Sequence, residues 1–92
     1  MDKELRKRVK NIKKIDELIQ KNKFYIDQIL VSELFLRQLM EVAEHVDVKI
    51  VEDKNEVEVL YLFGKPVNIS KFINEGCILM LTNEEYIVLK SI

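Results

Sequence analysis

The chain is poor both in residues that interrupt structure and in residues that do chemistry. Its 92 residues include one proline, two glycines, one cysteine, one histidine and no tryptophan. A single cysteine, Cys77, excludes a disulfide framework within the chain. With His45 as the only histidine, no Cys/His zinc site can be assembled from one copy. No apolar run approaches the length of about 18 residues that crosses a bilayer. The charged N-terminus has no apolar stretch of the signal-peptide kind. The expectation is a cytoplasmic protein without a membrane segment. Disorder is excluded from the other side, because 48% of the residues are apolar against 34% charged.

What is there fits one domain with a thin core. Size scaling puts the folded surface near 5,600 Å² against about 15,800 Å² unfolded, so roughly 65% can be buried. The net charge of -1 hides a division along the chain. Residues 1–23 carry nine Lys/Arg and four Asp/Glu, a net of +5, and residues 24–92 carry six and twelve, a net of -6. The division reads as a basic amphipathic helix over 1–23 joined to an α+β core over 24–92.

In the first segment Leu5, Val9, Ile12, Ile15 and Ile19 recur at three- and four-residue spacing, a narrow apolar seam on a helix. Leu5, Ile12, Ile19 and Ile26 also repeat with heptad spacing, as a coiled-coil edge would. The next segment, about Phe24 to Val46, reads as a second long helix with a broad face of Phe24, Val31, Phe35, Leu39, Val42 and Val46. A second stripe, Ile26, Leu30 and Leu34, runs at i, i+4, i+8. Lys21-Asn22-Lys23 is the only credible break between the two helices, which otherwise form one continuous helix.

Both glycines and the proline lie at Gly64, Pro66 and Gly76, and the short elements gather there and beyond. Val46 to Val51 alternates with the period of a strand, and Glu56 to Phe63 starts the same way before turning wholly apolar. A turn at Asp53 to Glu56 joins them, and Gly64-Lys65-Pro66 ends the second. A short helix through Lys71 to Asn74 precedes two further strands, Cys77 to Leu81 and Tyr86 to Leu89. The predicted fold is α+β: two long N-terminal helices, then a four-stranded, mainly antiparallel sheet with one short helix inserted. The unbroken apolar runs of its last three strands predict a sheet with little surface left wet.

The catalytic search is nearly empty. Glu33, Arg37, Glu41 and His45 follow at i+4, which is ordinarily a solvated charge ladder. Cys77 opens an apolar run and reads as a small hydrophobe. Gly64-Lys65-Pro66 lacks the upstream glycine and the following hydroxyl residue of a phosphate loop. Asn68-Ile69-Ser70 fits an acceptor for glycosylation but has no secretory context. The expectation is a non-enzymatic protein with no cofactor and no metal.

Two surfaces remain. Lys3, Lys7, Lys10, Lys14 and Lys21 fall opposite the apolar seam, flanked by Arg6, Arg8 and Lys13, at a spacing that suits a phosphate backbone. The plainer reading of that row is a solvated face. Self-association is expected through Leu5, Val9, Ile12, Ile19, Ile26, Leu30 and Leu34, because one small domain can hardly cover two apolar stripes. The leading expectation is a small interaction protein that forms a homodimer and holds a protein partner. The alternative is a sequence-tolerant nucleic-acid binder. Membrane binding ranks last, for want of Trp, Phe or dense Leu on the seam.

Overall fold

The computed structural model describes residues 2–21, 25–82 and 84–89. Asp2 starts the first helix by accepting the Leu5 amide on its carboxylate at 2.8 Å, and α1 then runs Lys3–Lys21. Strand β1 follows at Ile26–Val31 and helix α2 at Glu33–Glu41, closed by a 3-10 turn at Ala43–His45. The remaining strands are β2 (Val48–Glu52), β3 (Glu58–Leu62), β4 (Lys65–Ile69), β5 (Cys77–Leu81) and β6 (Tyr86–Leu89). They make one mixed sheet in the order β2-β3-β4-β1-β5-β6, in which only β1 and β4 run parallel.

The α+β class stands, but three of its expected parts are corrected. The second long helix does not exist: its first third is β1 and only Glu33–Glu41 is α-helical. The cause is local. Ile26, Ile29 and Val31 are β-branched and favour a strand. Ser32 then sits in extended backbone (φ -77°, ψ 162°), with its hydroxyl accepting the Phe35 amide at 3.0 Å. That is a helix N-cap placed in the middle of the expected helix. A continuous helical rod is thereby excluded, and the molecule measures 37 × 32 × 25 Å. Of the expected break, Asn22 and Lys23 lie outside the described residues, as does Phe24 of the expected second helix.

The sheet has six strands where four were expected. Besides β1, the addition is β4, which begins where Gly64-Lys65-Pro66 was read as a terminator. Phe63 and Gly64 both adopt positive φ (50° and 80°) and form a two-residue hairpin turn between β3 and β4. The expected helix at Lys71 to Asn74 is instead a run of turns and bends, started by the Ser70 hydroxyl accepting the Phe72 amide at 3.3 Å. The two last strands and the β2–β3 hairpin lie where expected. In that hairpin the Asp53 carboxylate accepts the Asn55 and Val57 amides at 2.8 and 3.0 Å.

Both helices cover the same side of the sheet. Val9, Ile12 and Ile15 of α1, with Phe35 and Leu39 of α2 and Val42 just after it, form one buried cluster with Ile26, Ile29, Val31, Leu62, Val67, Cys77, Leu79 and Leu81 of the strands. Arg8 of α1 ties the helices together through an ion pair with Glu41 of α2.

Candidate interaction surfaces

Residues paired across a sheet share a face, so the register assigns every strand position to one side. Ile29 pairs with Val67 and Leu79, and all three are in the core. Leu30 pairs with Asn68 and Ile78, and Gln28 with Met80, which puts these five on the opposite side. The same side takes Val88 and Tyr86 from β6, Pro66 from β4, Tyr61 and Val59 from β3, and Val51 and Lys49 from β2. Among the described residues, no helix lies over this side. Leu30, Val59, Tyr61, Pro66, Ile78 and Met80 are half-buried by their strand neighbours alone, and Val51, Val88 and Tyr86 are exposed.

The open face is mostly apolar, and its polar centre is self-satisfied. The Asn68 side-chain amide donates to the Gln28 side-chain carbonyl at 2.9 Å. Lys49, on the outermost strand, is the one charged residue at the paired positions of this face. The unbroken apolar runs predict a sheet with little surface left wet; among the described residues, one face of this sheet has no cover. The signal for the surface was therefore present, and the number of layers was not.

The expected self-association residues fall elsewhere. Val9, Ile12 and Ile26 are buried in the core of the single chain, and Leu5 and Ile19 pack partly against it. The Ile26, Leu30, Leu34 stripe is not a helical stripe at all. Ile26 and Leu30 belong to β1 on opposite faces, and Leu34 is exposed on α2. Of that set, Leu30 alone reaches the open sheet face.

The basic residues sit as the periodicity placed them. Lys3, Arg6, Lys7, Lys10, Lys13, Lys14 and Lys21 are all exposed on α1; Lys3, Lys7, Lys10, Lys14 and Lys21 lie on the side away from the sheet, Arg6 flanks them, and Lys13 lines a cleft between α1 and the rest of the chain. None of the six lysines has an ion-pair partner among the described residues. Glu17 occupies the same arc between Lys14 and Lys21, so the uninterrupted block runs from Lys3 to Lys14.

Burial pushes the Cys77 thiol up from 9.0 to about 12, so at neutral pH it is a protonated, unreactive sulfur. The Glu33, Arg37, Glu41 ladder stays exposed along α2, Glu41 turns to Arg8, and His45 lies in the 3-10 turn beyond. An open cleft of about 870 Å³ beside the end of α1 is lined by Lys13, Asp16, Glu17, Gln20, Glu44, His45 and Asp47 among others. Among the described residues no group of His, Cys, Asp or Glu could hold a metal ion, and no helix is long and apolar enough to cross a membrane. Comparison with the known protein families, with curated proteins and with solved structures finds no match.

Proposed function

We propose that this chain is a small, non-catalytic interaction protein that self-associates by stacking the open sheet faces of two copies. The observation that carries the proposal is a sheet apolar on both sides in a chain whose two helices cover only one. Stacked sheets lie about 10 Å apart and interdigitate their apolar side chains, the arrangement of a β-sandwich core. A second copy fits the face better than a charged partner does. An isologous contact must be self-complementary, and between the two outer strands the paired positions of this face carry no charge to be opposed by its own kind. A reducing, cytoplasmic setting belongs to this reading, supported by a single cysteine kept as a buried thiol.

Light scattering across the micromolar range tests it. The wild type is expected at about twice 10.9 kDa. Met80→Glu, and separately Tyr86→Glu at an exposed position, are expected at the single-chain mass with an unchanged circular dichroism spectrum. A wild type that stays at 10.9 kDa removes the proposal.

A further inference from the structure

The geometry points to a second binding surface, independent of the first: the outer face of α1 binds the phosphate backbone of duplex nucleic acid without sequence preference. Lys3, Lys7, Lys10 and Lys14 are exposed, lack ion-pair partners among the described residues, and follow one another at turn-by-turn spacing. From Lys3 to Lys14 the helix rises about 16 Å at 1.5 Å per residue. The helix is held by its other side, where Val9, Ile12 and Ile15 are buried against the sheet. The block therefore points outward on a rigid, anchored element.

Its chemistry selects among polyanions. A protein interface wants an apolar or aromatic centre, and between Lys3 and Lys14 this arc contains only long cationic side chains. An anionic bilayer wants an apolar face to insert, and the apolar face of α1 is already spent on the core. A phosphate backbone asks only for positive charge at regular intervals. Lysines are point charges rather than the planar forks that read guanine, and no aromatic lies among them to stack an unpaired base. Those absences favour a duplex held by its backbone and leave no means of reading its sequence.

The experiment is fluorescence anisotropy of the full chain with a short mixed-sequence DNA duplex. Neutralising four phosphates gives a slope of log affinity on log salt of about -3.6, a loss on the order of 10²-fold between about 50 and 200 mM salt. A permuted duplex of the same composition is expected to bind equally well. Lys7→Glu with Lys10→Glu is expected to abolish binding while keeping the helical spectrum. Lys54→Glu with Lys71→Glu makes the same change in net charge away from α1 and is expected to keep binding. Single Lys→Ala changes in the block each flatten the salt slope by about one. Met80→Glu, which tests the sheet-face dimer, is expected to leave single-chain binding intact, so the two proposals fail separately. No shift at low salt overturns the inference. So does equal loss in both double variants, or tighter binding to polyglutamate or to phosphatidylserine vesicles than to the duplex.

Discussion

Burial sets the behaviour of the most reactive side chain in the molecule. Cys77 opens β5 with its thiol inside the core, where a thiolate is poorly solvated, and its pKa rises from 9.0 to about 12. The unfolded chain releases this proton near pH 9 and the folded chain holds it to about 12. The contribution is therefore constant below pH 9, and stability falls as pH rises through that window. Urea midpoints between pH 8 and 11 are expected to drop more steeply for the wild type than for Cys77→Ala. Equal slopes would contradict the assignment. Ser32 is the other residue on which local structure turns. Ser32→Ala removes the N-cap of α2 and is expected to cost about 1 kcal/mol, a fall in Tm of about 4–8 °C for a domain of this size. Thermal unfolding by circular dichroism reads it directly.

Elements were legible in proportion to their punctuation. β5 and β6 read correctly because Gly76 and the turn after Leu81 bracket two short apolar runs. The β2–β3 hairpin is legible to within two residues at each strand end because of the alternation from Val46 to Val51 and the turn that Asp53 offers. β1 and α2 were fused because no glycine or proline separates them. Ile26, Leu30 and Leu34 also share a helical spacing by coincidence, and Ser32 alone marks the boundary. β4 was hidden by Pro66, which has no amide to give a ladder. In a two-residue hairpin Leu62 and Lys65 exchange the closing hydrogen bonds, so the next pair, Tyr61 with Pro66, is a non-bonded one. The pairing of β4 with β1 begins only at Val67. Pro66 thus sits at a position in the strand that needs no donor. The turn before it carries a prediction of its own. Gly64 has φ +80° and open space around it, so Gly64→Ala meets no atom and costs only backbone strain, about 1 kcal/mol. Gly64→Asn is expected to cost less, because asparagine tolerates positive φ. Equal losses in Tm would contradict a purely torsional cost.

At the scale of the molecule the chain has two unlike sides. One presents the lysines of α1, and the other presents a nearly uncharged sheet. Charge division was visible in the sequence because helical periodicity places exposed residues without knowledge of the fold. The open face was not visible, since an apolar strand looks the same whether its second side meets a helix, a second sheet or water. Stacking the sheets of two copies covers that side and leaves both lysine blocks on the outside, pointing apart. Pairing through the α1 seam would instead require Val9, Ile12 and Ile15 to leave the core. The most direct test is nuclear Overhauser transfer filtered to report only contacts between labelled and unlabelled copies. Transfer to the methyl groups of Leu30, Ile78, Met80 and Val88 is the predicted result. Transfer confined to residues of α1, or none at concentrations well above micromolar, would contradict it.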